Sequence, residues 1–227
     1  VLIGENTMSG NVTVNGIVRV GAIDDRNPTL LFTAGTTGSL GTANVTINSG
    51  KVLAFTRSNA HTVGNLISGA GKVHIGSSAA VAAGTASPNT STASTFTQEL
   101  TLTGANTYSG GTNVNVGSLT VSGGAALLDA GAVTLANTAG VSLTVNDDET
   151  LGTLSGGGAS GGNISLANTK TLTVGSGNGT SQFDGVVSGQ GGLAKTGSGT
   201  FTLTGANTYS GKTSILAGTV SVASLNS

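Results

Sequence analysis

Cysteine and tryptophan are absent from this sequence, and proline occurs only twice. Without cysteine there are no disulfides and no thiolate metal sites, and the chain suits a protein that must stay unfolded during export. Charge is scarce as well: 7% of residues are Asp, Glu, Lys or Arg, and the net charge is -1. Nucleic acid recognition needs clustered cations against phosphate. Eight scattered Lys and Arg do not supply a cluster, so nucleic acid is excluded as a partner. No apolar run approaches the roughly 20 residues of a membrane span, so this segment is not expected to insert into a bilayer. Aromatics make up 3% of the chain. A sandwich or small barrel fills its core with large side chains, and this sequence has few to offer. The chain begins at Val1 without a signal-peptide pattern, which marks it as an expected segment of something longer.

What is abundant is glycine, 39 of 227 residues, together with short apolar pairs two residues apart. Val12/Val14, Val45/Ile47, Leu100/Leu102, Leu119/Val121, Leu143/Val145, Leu172/Val174 and Phe201/Leu203 enclose Thr, Ser or other small residues. That spacing is the period of a strand with one buried and one wet face. Between the pairs lie Asn-Gly, Ser-Gly and Gly-Gly, which provide the positive φ of tight turns. No window carries the i, i+3, i+4 stripe of a helix, so very little helix is expected. Small β-branched and aliphatic side chains can fill a narrow β-solenoid, where each coil stacks on the last. Coils of roughly 20–25 residues predict about ten coils, and at about 4.8 Å per coil a rod on the order of 50 Å long.

A long-period repeat supports this architecture. LTLTGANTYSGGT at Leu100–Thr112 returns as FTLTGANTYSGKT at Phe201–Thr213, an offset of 101 residues. Gly104, Asn106, Tyr108 and Gly110 thereby match Gly205, Asn207, Tyr209 and Gly211. A degraded copy, GENTMSG, places Gly4, Asn6, Met8 and Gly10 at the same positions. The chain reads as one continuous segment, 1–227, of units 4–103 and 104–204 and a partial unit 205–227. Polar insertions are expected near 21–38, around Asp24–Pro28, and near 76–99, where Pro88 stands. Loops of that kind leave one side of a solenoid and are where binding would concentrate.

Few residues invite chemistry. Asp24-Asp25-Arg26 and Asp147-Asp148-Glu149 are the acidic clusters; neighbours on a strand point to opposite faces, so a solvated turn is the expectation at both. His61 and His74 have no third ligand at a metal-binding spacing. Tyr108 and Tyr209 have two readings: a spaced row that binds sugar or protein, or rings packed at coil corners while Asn106 and Asn207 bond the backbone. Met8 favours packing, since it keeps apolar bulk and lacks the hydroxyl. No catalytic, cofactor-binding or metal site is assigned. Outward rows of Thr, Ser and Asn form weakly charged faces that can associate through many weak hydrogen bonds, and each open end exposes a strand edge.

GGLAKTGSGTFTLTGANTYSGKT at Gly191–Thr213 resembles the passenger-associated strand repeat of type V autotransporters, and GSLTVSGGAALLDAGAVTLAN at Gly117–Asn137 fits the same family. The resemblance implies a right-handed single-stranded parallel β-helix, exported across the outer membrane of a Gram-negative bacterium to the cell surface. It further implies a non-enzymatic adhesin or self-associating factor of aggregates, biofilm or fibre. The partners implied are a second copy, side by side or head to tail, and host or matrix glycans or proteins. An inert stalk is the alternative. A polysaccharide-active β-helix enzyme, with Asp24, Asp25 and Arg26 as candidate residues, is the weaker third reading.

Overall fold

The computed structural model describes residues 9–20, 38–76 and 98–223. Gly4, Asn6 and Met8, the cluster Asp24–Arg26 and nearly all of both insertions lie outside the described residues. Within them the chain forms twenty-two short strands and no helix, and every strand pair is parallel. The fold is a three-faced parallel β-solenoid.

The first face is a nine-stranded sheet running from Ile17–Val20 through Val52–Phe55, Lys72–Ile75, Thr112–Val114, Ala132–Leu135, Thr153–Gly156, Ser181–Phe183 and Thr200–Leu203 to Thr219–Val222. Nine passes fall slightly short of the expected ten. The second face has six strands: His61–Val63, Glu99–Leu102, Ser118–Val121, Ser142–Val145, Asn163–Leu166 and Val187–Gly189. Leu119 pairs with Leu143 and Leu143 with Ile164, so successive coils take 24 and 21 residues, within the expected range. The third face carries a three-stranded sheet, Val12–Val14, Val45–Ile47 and Ile67–Ser68, and a four-stranded one, Glu149–Leu151, Thr171–Val174, Gly192–Lys195 and Thr213–Ile215. Between these two sheets the chain crosses the third face twice without a strand, at Asn106–Tyr108 and at Ala125–Leu127. Backbone bonds still bind those crossings into the stack, Thr107 N–H to Ile67 O at 2.9 Å and Asn106 N–H to Ala125 O at 3.0 Å.

The alternating pattern explains the core. In Ser118–Val121, Ser142–Val145 and Thr171–Val174 the aliphatic residues are buried and the Ser and Thr are half-exposed. Stacking in register turns each inward position into a column, such as Leu100, Leu119, Leu143, Ile164 and Val187. Each fully buried aliphatic side chain contributes roughly 1.5–3 kcal/mol, so the columns carry the rod without aromatic bulk. Among the described residues the buried aromatics are Phe55, Tyr108, Phe183 and Phe201, the last two on neighbouring strands of the first face.

The motif and the coil are out of step. Thr112–Val114, which follows the first intact motif, lies on the first face, whereas its counterpart Thr213–Ile215 lies on the third. The chain crosses the first face four more times after Thr112–Val114 and then passes two further faces before reaching Thr213. The stretch from the first intact motif to the second is therefore four turns and two-thirds.

Candidate functional site

Asn106 occupies the strandless crossing of the third face and is 4% exposed. Its Oδ1 accepts the Ile67 N–H from the preceding coil at 2.8 Å, and its Nδ2 donates to Ala126 O on the following coil at 2.8 Å. One amide side chain thus joins three coils where no strand can do so. Asn207 repeats the first bond, accepting the Val187 N–H at 2.8 Å.

Tyr108 lies beneath the same crossing, 1% exposed, with its hydroxyl 2.7 Å from Thr112 Oγ1. Burial pushes its phenol well above the ordinary value, so it stays neutral. Tyr209 makes the same contact with Thr213 at 2.7 Å and packs half-buried on the core. A buried ring offers nothing to a sugar, and the two tyrosines stand on different faces, so they do not form a receptor row.

The motif glycines are set by close approach between coils. A Cβ on Gly104 would stand 2.3 Å from Asn65 O, on Gly110 2.3 Å from Gly71 O, on Gly205 2.1 Å from Gly185 O and on Gly211 2.3 Å from Gly191 O. Gly10, by contrast, has nothing within 4 Å.

The acidic run Asp147-Asp148-Glu149 departs from the expected solvated turn. Asp147 is at the surface, where it accepts from Gly123 N–H, Ser122 Oγ and Lys170 Nζ, each at 2.9 Å. The Gly123 bond, followed by those from Lys170 and Ser122, holds its carboxyl down at about 2. Asp148 accepts the Thr171 N–H at 2.7 Å. Glu149 turns inward, 2% exposed, at a core position that pairs with Leu172. Its two oxygens accept the N–H groups of Ala126 and Leu127, both at 3.2 Å, and so hold the second strandless crossing. Burial raises its carboxyl to about 7 against the pull of those two bonds, with Asp129 and Asp147 adding to the rise. Asn106, Ala126 and Glu149 form one interior stitch through consecutive coils. The three carboxylates do not converge on a common point, and among the described residues no group of three or more His, Cys, Asp or Glu could hold a metal.

Lys195 departs from the alternating pattern, and His74 keeps to it but is unusually enclosed. Lys195 is 1% exposed in the column Val174, Lys195, Ile215, and its ammonium donates to Thr196 O and, at 2.9 Å, to Gly197 O. His74 is half-buried on the outer side of the first face, where its Nε2 accepts from Asn113 Nδ2 at 3.3 Å. Its Nδ1 has no partner, and burial, then the Lys72 charge, lowers its pKa to about 4. His61 sits on the second face beside Phe55, with ring centroids 6.5 Å apart, so the two histidines are not brought together. Glu149 and Lys195 were legible only as charges at positions where the period-2 pattern demands an apolar residue.

Outside the core the second face carries one in-register row of hydroxyls: Thr62, Thr101, Thr120, Thr144, Ser165 and Ser188. A second row runs through Glu99, Ser118, Ser142 and Asn163.

Comparison with family models picks out the motif. The Passenger-associated-transport-repeat family matches residues 97–121 and 193–222, the two intact copies with the strands beside them. The adhesin BmaC autotransporter of Brucella suis biovar 1 (strain 1330) is 42% identical over 125 residues, which is 54% of this chain and 4% of that protein. The chain thus spans only a small part of the relative it matches. No solved structure matches. The parallel β-solenoid thus carries two copies of the passenger-associated transport repeat and is similar over about half its length to an autotransporter adhesin.

Proposed function

We propose that this chain is a stretch of an adhesive rod on the surface of a Gram-negative bacterium, exported as part of a longer passenger and acting by contact rather than by catalysis. The observation that supports this is the in-register hydroxyl row on the second face, where Glu99 is the one ionised side chain of the strands, together with similarity to a protein named as an adhesin. Such a face gives many weak, equivalent contacts whose sum grows with length. Its partners are other copies of the same rod and glycans or proteins of a host or matrix. A non-enzymatic role accords with the Asp147–Glu149 carboxylates, which are spent on cross-coil hydrogen bonds. The inert-stalk reading draws support from the motif side chains, since Asn106 and Tyr108 point inward.

The test is display of the chain on otherwise non-adherent cells, followed by cell settling and by attachment to glycan- and protein-coated surfaces. Faster settling or retained cells is the expected result. Cells that neither settle faster nor attach leave the stalk reading.

A further inference from the structure

The three faces are not chemically equivalent, and the difference selects one of them. On the second face the strands from His61–Val63 to Val187–Gly189 contain one ionised side chain, Glu99, on the second strand from one end. Among the described residues the other charges lie on the first and third faces and at the corners: Lys72 on the first, Asp147, Asp148 and Lys170 beside the third, and Asp184 between strands.

The outer hydroxyls also differ in what they bond. On the first face Thr134 bonds Ser155 at 3.1 Å, and on the third face Thr46 bonds Ser68 at 3.1 Å. In the second-face row, Ser188 donates to Ile164 O at 3.0 Å, while the hydroxyls of Thr101, Thr120 and Thr144 form no bond within the described residues. Their donors and acceptors point outward at the coil repeat of about 4.8 Å, with no aromatic side chain in either row and Glu99 the one long side chain.

We propose that the second face docks on the same face of a second copy, ladder against ladder, so that Thr101, Thr120 and Thr144 meet their counterparts. This rests on the self-association reading above and names its surface. An isologous contact puts every group opposite a copy of the same patch, so a face of many like charges would repel itself, whereas a face with the single carboxylate of Glu99 near one end leaves the central strands free of repulsion. The occupant is a second copy rather than a glycan, because sugar recognition draws on exposed aromatic platforms and neither row has one.

Size sets the form of the association. Six strands and two rows cover about 24 Å by 13 Å, on the order of 300 Å² per copy. A stable pair needs about 800 Å² per partner. A single face therefore pairs weakly, and pairing becomes firm only when many faces act together.

The experiment uses beads densely coated with the full 227-residue chain, with clustering followed by light scattering at low and high salt. Wild-type beads are expected to cluster, with little loss in high salt. Thr120→Lys with Thr144→Lys should abolish clustering, while Thr134→Lys with Thr153→Lys on the first face should leave it within about twofold. Beads carrying Thr120→Lys/Thr144→Lys mixed with beads carrying Thr120→Glu/Thr144→Glu should cluster again, which a folding defect cannot produce. Circular dichroism of each variant confirms the strand content. Wild-type clustering that survives the second-face substitutions overturns the assignment of the face and leaves self-association standing. Wild-type beads that never cluster overturn both. Clustering that appears only on addition of a soluble polysaccharide overturns the choice of a second copy as occupant.

Discussion

Glu149 and His74 set opposite pH dependences on the fold, and separating them is a sharp test of the interior stitch. In the folded state the Glu149 carboxyl lies at about 7 rather than 4.5. Between those values the native chain holds a proton that the unfolded chain releases. Stability from this group is fully present below about 4.5 and is lost as pH rises through 7. Each tenfold change in proton affinity is about 1.4 kcal/mol, so ionising Glu149 costs the fold roughly 3 kcal/mol.

His74 works the other way. Its pKa is lowered from 6.5 to about 4, so the unfolded chain binds the extra proton and stability rises with pH across that window. The contribution is smaller than that of Glu149, because His74 is only half-buried and solvent screens it. The wild type should therefore show a shallow profile from pH 4.5 to 6.5. Glu149→Gln removes the falling component, and its urea midpoint should rise with pH from 4 to 6.5. His74→Gln removes the rising one, and its midpoint should fall from 4.5 to 7. The glutamine variant also weakens the fold by about 1–3 kcal/mol at pH 5, since a single carbonyl cannot accept both amide protons. Two variants whose midpoints move with pH in the same direction would refute the reasoning.

Asn106→Ala leaves the Ile67 N–H and the Ala126 carbonyl without partners, for an expected loss of about 2–4 kcal/mol by urea denaturation. Asn207→Ala should cost less, as it removes one such bond. Tyr108→Phe keeps the ring and loses the Thr112 contact, so about 1 kcal/mol is expected by the same assay. Gly110→Ala drives a methyl into Gly71 O and should cost at least 1–3 kcal/mol, about what overpacking does in a core. Gly50→Ala, in open space at φ +71°, should cost only the backbone strain, about 1–2 kcal/mol by thermal melting.

The fold was readable because its determinants are local. Pairs such as Leu119/Val121 and Leu143/Val145 announce strands, and scarce aromatics leave the solenoid as the architecture small side chains can fill. The inward role of Glu149 was not readable. Its neighbours Asp147 and Asp148 are polar, and what draws it inside is the pair of unpaired amides at Ala126 and Leu127, one coil away and about twenty residues back. The partners of Asn106 were hidden for the same reason, since Ile67 precedes it by 39 residues and Ala126 follows it by 20. Cross-coil bonds depend on register, and register emerges only when the coils are stacked. The phase of the motif also escapes the sequence, because 101 residues looks like a clean repeat until it is divided by a coil of uneven length.

That phase has a mechanical consequence. Each motif breaks one strand ladder and replaces it with side-chain stitching, a point where a rod would bend. Were every copy on one side, the breaks would line up as a crease and the shaft would fold toward it under load. The four and two-thirds turns between the two intact motifs put the second break on a different side of the axis from the first. Two breaks on different sides share no crease, so bending at one is not carried on by the other.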